Sequence, residues 1–254
     1  MTLDIVALAV NAVISIIIPV VILVFMLVKN TKERKSLLLL FMAGVVVYVG
    51  MEWGVKEHGL AWLFNHTDFA KFMDAHYIPY LLVVAVAGAV LACVPVAVIA
   101  DFIMKKKLSF SMAVIFGLGY TMTESVMLVG YRSINTIVEL VKGTDMELNS
   151  STAELFLSGY ERILMSVIQI AVFVVLVYFI ERNMTLLGSL VAIFCQTLAA
   201  FLPGFFIAFS LTDYYEVYDR SVALTLTYIV LTAAAICSVV VLYSFRSAFR
   251  NGAK

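Results

Sequence analysis

The sequence predicts an all-α, polytopic membrane protein with a bundle of about seven transmembrane helices, and three observations carry that prediction. Of 254 residues, 63% are hydrophobic and 13% are charged, whereas a soluble domain is near half apolar and a quarter charged. The mean hydropathy is +1.05. Apolar stretches of about 20 residues, the length that crosses a ~30 Å hydrocarbon core, recur along the chain with short polar connections between them.

The first stretch, 5 to 28, carries Asp4 but no Lys or Arg ahead of it. It is also too long for a signal-peptide core, so it reads as a retained span. The second, 36 to 55, follows the basic connection Lys29-Asn30-Thr31-Lys32-Glu33-Arg34 and Lys35. The third, 77 to 100, runs into Lys105-Lys106-Lys107, and the fourth covers 109 to 131. The fifth, 159 to 180, is preceded by Ser151-Thr152-Ala153-Glu154, a capping-box pattern that predicts a helix start several residues outside the bilayer. The sixth, 185 to 210, follows the Glu181-Arg182 turn and contains Pro203-Gly204, which predicts a kink above Gln196. The seventh, 221 to 243, leads into Arg246, Arg250 and Lys254.

The basic connections fall on alternate ends, so the positive-inside rule places the N-terminus outside and the C-terminus in the cytoplasm. The segments 56 to 76, 132 to 158 and 212 to 220 are then outer loops. Trp53, Trp62, Tyr77, Tyr80, Tyr214 and Tyr215 flank them as interfacial anchors. No linker or repeat divides residues 1 to 254, which read as one transmembrane domain. The absence of a visible repeat also weighs against many transporter architectures.

Lys+Arg and Asp+Glu number 17 each, which leaves no basic face for nucleic acid. The expected surroundings are the lipid bilayer of a cell membrane. Cys93, Cys195 and Cys237 lie in apolar runs without paired spacing, and they read as small core residues rather than thiolate ligands.

A charged group deep in the bilayer costs at least ~2.5–3.5 kcal/mol, so each one asks for a reason. Glu124 is the one placed well inside a span. It is either a structural carboxyl hydrogen-bonded between helices or part of a functional site. Tyr120 lies four residues earlier on the same face, and the pair sits roughly 10–16 Å below the outer end of the helix. Gln169 and Gln196 fall roughly 15–20 Å below the same surface. The four either glue helices together or line a common pocket.

Arg162, seven residues before Gln169, shares its face. It reads either as a snorkelling anchor or as a ligand-binding group. Glu161 beside it is expected to pair with another helix. Gly117 and Gly119 invite close approach by a neighbour. Glu52 and Lys56 read as an i,i+4 surface pair, and Met112, Met122 and Met127 as packing. His58, His66 and His76 match no metal motif and read as loop histidines. The sequons Asn65-His66-Thr67 and Asn149-Ser150-Ser151 read as incidental.

Three pieces of the chain, in order and on three predicted helices, resemble the YhfC family of intramembrane metalloproteases. Gly117-Leu118-Gly119-Tyr120-Thr121-Met122-Thr123-Glu124 looks like a glycine-flanked His-x-x-x-Glu motif with Tyr120 at the His. Glu161-Arg162 through Gln169 is similar to a Glu-Arg helix ending in His, with Gln169 at the His. Gln196-Thr197-Leu198-Ala199-Ala200-Phe201 is similar to His-x-x-x-Asp-Phe, with Gln196 at the His and Ala200 at the Asp.

The resemblance implies a multi-helix bacterial membrane peptidase with zinc, but every matched histidine has changed. A catalytic zinc wants about three imidazole or carboxylate ligands and an open position for water. A glutamine amide ligates weakly, and a tyrosine binds metal well only when deprotonated. The reading is therefore a non-catalytic homologue without metal or cofactor. It would bind a peptide, a transmembrane segment or a lipid-like ligand in a pocket lined by Tyr120, Glu124, Arg162, Gln169 and Gln196. Two alternatives stay open: an active protease in which Glu124 is catalytic, with or without restored zinc, and a proton-coupled small-molecule transporter or sensor.

Overall fold

The computed structural model describes residues 2–103, 109–142, 151–211 and 217–251, and these are helical with no strand among them. Seven helical stretches are long and apolar enough to cross a membrane: Leu3–Lys29, Thr31–His66, Tyr77–Ala100, Phe110–Val141, Thr152–Glu181, Thr185–Ala208 and Arg220–Phe249. They are called the first to seventh spans. Short connections make successive spans antiparallel. The N-terminus and the connections after the second, fourth and sixth spans therefore share one face of the bundle, termed the N-terminal face.

Two predicted outer loops are largely helix. The second span continues to His66 and is followed by the short helix Phe69–Ala75, while the fourth continues to Val141. Hydropathy marks where apolar side chains stop, but a helix goes on satisfying its own backbone beyond that point. At 1.5 Å per residue, the 36 residues of the second span reach about 54 Å, well past a ~30 Å core. Lys105, Lys106, Lys107, Asn149, Ser150, Tyr214, Tyr215, Lys254 and the side chain of Arg250 lie outside the described residues.

Three spans widen locally into π-type turns, at Val13–Ile17, Tyr48–Glu57 and Val126–Gly130. Pro19 follows the first of these at the start of the next α-helical segment. Its missing N–H breaks the regular i→i−4 ladder at that point. The predicted capping box is present: Ser151 Oγ accepts from the Glu154 amide, and the Glu154 carboxylate accepts from the Ser151 amide. Glu154 also pairs with Arg220 at 3.0 Å, which ties the start of the seventh span to the start of the fifth. The sixth helix runs unbroken through Pro203.

The fifth span is central, with 61% of its most apolar window buried against 11% for the first span. Glycine decides how closely the fourth span meets its neighbours. A Cβ on Gly119 would fall 2.1 Å from the Phe41 carbonyl oxygen, and one on Gly44 would fall 2.3 Å from that of Phe116. The second and fourth spans therefore touch backbone to backbone. On the other side, Gly117 leaves room for Ile170 of the fifth span.

Above these contacts the rings of Phe116 and Phe173 meet at 5.7 Å and those of Tyr120 and Phe173 at 5.0 Å, locking the tyrosine ring in place. Met112, Met122 and Met127 pack against the same core. The first span docks on the fifth through Asn11, which donates to the Leu155 carbonyl at 2.7 Å and to Ser158 Oγ at 3.0 Å. The neighbouring Asp4 accepts from the Thr152 hydroxyl.

Cys93 is buried as expected, but Cys195 and Cys237 are exposed along a groove between the fifth, sixth and seventh spans. An apolar run places a residue in the bilayer without saying whether it faces a helix or an open groove.

Candidate functional site

A cavity of about 570 Å³ opens among the second to sixth spans. The second span supplies Tyr48, Glu52, Trp53, Lys56 and Glu57; the fourth supplies Tyr120, Glu124, Met127, Leu128 and Arg132. The third contributes an apolar wall that includes Leu81, Val84, Ala85 and Ala89, and Met165, Gln169, Gln196 and Ala200 complete the lining. The π turns at Tyr48–Glu57 and Val126–Gly130 both contribute to this wall, in keeping with the frequent placement of such turns at functional sites.

Glu57, Trp53 and Arg132 are exposed and mark the mouth, while Tyr120 and Gln196 are buried at the floor. Twelve residues of helix separate Tyr120 from Arg132, a depth of roughly 16–18 Å. The cavity therefore runs inward from the N-terminal face.

Glu124 is the hub of the floor. Arg162 Nη1 donates to its Oε1 at 3.1 Å, and Gln169 Nε2 donates to its Oε2 at 2.6 Å. Arg162 Nη2 donates to Glu161 Oε1 at 2.7 Å. Its side chain is only 10% exposed, so it neither snorkels nor lines the cavity. It reaches the site through Glu124. Glu161, expected to pair with another helix, pairs instead with its own neighbour. A buried pair of this kind is strongly destabilised when one partner is removed, by about 3–5 kcal/mol, because the other charge stays behind uncompensated.

Of the predicted residues, Tyr120, Glu124, Gln169 and Gln196 share the cavity, and Arg162 stands behind them. Glu52 and Lys56 correct the expectation of a surface pair. Lys56 Nζ donates to Glu52 Oε2 at 2.7 Å with the side chains 24% and 13% exposed, and both residues line the cavity. Glu52 therefore joins Glu124 as a second carboxylate within a span.

The Glu52 carboxylate faces Tyr120, whose ring meets that of Tyr48 edge to face at 5.3 Å. Gly88 of the third span makes space for the pair, since a Cβ there would lie 3.0 Å from Lys56 Nζ. A sequence signal for this wall exists in Tyr48, Glu52 and Lys56, which recur every four residues along one stripe of the second span.

The donor set does not fit a catalytic zinc. Among the described residues no three His, Cys, Asp or Glu side chains gather, and both Glu124 oxygens already accept hydrogen bonds. The three histidines are exposed. His58 and His66 make local contacts to the carbonyls of Trp53 and Trp62.

No protein family, curated protein or solved structure matches this chain.

Proposed function

We propose that this chain is a non-catalytic relative of the YhfC intramembrane proteases that binds a small amphiphilic molecule in the cavity at Glu124. Its place would be the plasma membrane of a bacterium, with the cavity open to the outside. The observation that carries this reading is the engagement of Glu124. A general base needs an available oxygen of suitable basicity. A carboxylate held by a guanidinium and an amide is instead a fixed acceptor that shapes a polar wall. Gln169 supports the same reading, because its amide donates to Glu124 Oε2 where an apolar residue would leave that oxygen without a partner.

Size narrows the occupant. A cavity of about 570 Å³ lies within the range of small-molecule sites. A membrane-crossing helix ~10 Å wide and ~30 Å long fills more than about 2,000 Å³. The reading therefore favours a lipid-like molecule or a short extended peptide over an intact transmembrane segment.

The test is mass spectrometry of the full-length protein purified from its membrane, compared with Ala200→Phe, which places a ring in the cavity one turn from Gln196. Wild type is expected to release a bound small molecule on denaturation, and Ala200→Phe to release little. Equal release from both overturns the reading. So does stoichiometric zinc in wild type that disappears in Glu124→Ala, which would restore the protease alternative.

A further inference from the structure

We infer that the cavity takes an uncharged amphiphile whose head is a hydroxyl group, an inference that deepens the binding reading above and rests on it. The first observation is that the charges of the cavity close among themselves. Lys56 Nζ donates to Glu52 Oε2 at 2.7 Å, and Arg162 holds Glu124 from behind at 3.1 Å. At the mouth Glu57 is matched by Arg132. A charged head would lose its water in this recess and find no free counter-charge there, which is costly. An uncharged head avoids that cost.

The second observation is a hydrogen bond left unmade. Among the described residues that line the cavity, Gln196, 7% exposed, is the one with a buried side-chain polar atom, Oε1, that has no hydrogen-bond partner. A buried acceptor in that state is unfavourable, and a donor on the ligand relieves it. The terminal torsion of glutamine is broad and roughly two-fold, so a half-turn exchanges the oxygen and the amino group. A hydroxyl both donates and accepts, and it therefore bonds to the amide in either orientation. An ether oxygen serves only one orientation, and an ammonium only the other.

The third observation is the hydrocarbon of the wall. Leu81, Val84, Ala85 and Ala89 of the third span and Met165 of the fifth line the same recess, and they suit an alkyl chain. One unmet acceptor in a cavity with an apolar wall matches a head with one hydroxyl. An extended peptide would instead bring an N–H and a C=O with nearly every residue.

The test titrates hexanol into the full-length protein in phosphatidylcholine nanodiscs by calorimetry, with empty nanodiscs as the blank. The comparisons are 1-methoxypentane, an isomer of hexanol that accepts but cannot donate, and the charged hexylamine and hexanoate. Hexanol is expected to bind saturably. The ether should bind roughly two- to tenfold more weakly, the effect of one neutral hydrogen bond, and the two ions about tenfold or more weakly. Gln196→Leu should abolish the preference for hexanol over its isomer while leaving the affinity for the ether unchanged.

Equal binding of the ether, hexylamine or hexanoate in wild type overturns the assignment, and that comparison decides the matter even if Gln196→Leu does not fold. A folded Gln196→Leu that keeps the preference for hexanol overturns it too. A free alcohol and a diacylglycerol of the bilayer both present such a head, and nanodiscs doped with diacylglycerol separate them. Weaker apparent hexanol affinity there means the lipid occupies the site, and unchanged affinity means a free alcohol does; the hydroxyl class stands in both cases. A protein that ignores hexanol but keeps its Ala200-dependent small molecule overturns the hydroxyl assignment alone. One that shows neither overturns the binding reading as well.

Discussion

Two recesses among the described residues are nearly equal in size and opposite in character. The polar cavity at Glu124 measures about 570 Å³, and the groove between the fifth, sixth and seventh spans about 530 Å³. The groove is lined by Ile168, Val172, Cys195, Leu231 and Val241 among other apolar side chains. The sixth span serves both: Gln196 faces the cavity and Cys195, one residue earlier, faces the groove. One step along a helix turns a side chain by about 100°, enough to change its surroundings entirely.

The difference teaches that volume is a poor guide to specificity in a membrane. An acyl chain fills the groove at little cost, since lipid tails are as apolar as the groove's own side chains. The cavity is different because each polar group there needs a partner of matching chemistry, so its residues depend on one another.

That contrast can be broken or sharpened by substitution, beginning with the largest expected effect. Arg162→Gln leaves Glu124 and Glu161 without their shared cation. It should destabilise the protein by about 3–5 kcal/mol, read as a fall in unfolding temperature in detergent. Adding Glu124→Gln should recover part of the loss. A single-variant cost near zero would mean that the cluster is not interdependent.

Gln169→Leu removes the amide that donates to Glu124 Oε2. A loss of about 1–3 kcal/mol is expected, the cost of leaving a buried acceptor unsatisfied. In the groove, Cys195→Ala and Cys237→Ala should each change stability by no more than about 0.5 kcal/mol. A large effect there would show that the groove is as specific as the cavity and would dissolve the distinction.

Much of the site is legible in the sequence. Tyr120 and Glu124 share a helix face by their four-residue spacing, and the register of Arg162 and Gln169 puts both on one side of the fifth span. Glu52 is the exception, although it lies within the predicted second span. Its nearness to the span's end and to Lys56 suggests a solvated pair. The helix instead continues to His66, and Gly88 of the third span leaves a recess for both side chains. Helix length and a neighbour's missing Cβ are tertiary facts that no spacing rule within one span contains.

Sequence alone determined the helical class and the seven crossings, because a backbone in hydrocarbon must bond to itself and only apolar runs of sufficient length tolerate those surroundings. It also determined that polar groups cluster near mid-span. The tertiary structure decided which of them meet. The backbone contact of Gly44 and Gly119 brings the second span against the fourth, setting Glu52 beside Tyr120. The packing of the fourth span on the fifth turns Arg162 inward to Glu124. Helical periodicity says which residues share a face, but only the packing of neighbouring helices says what that face meets.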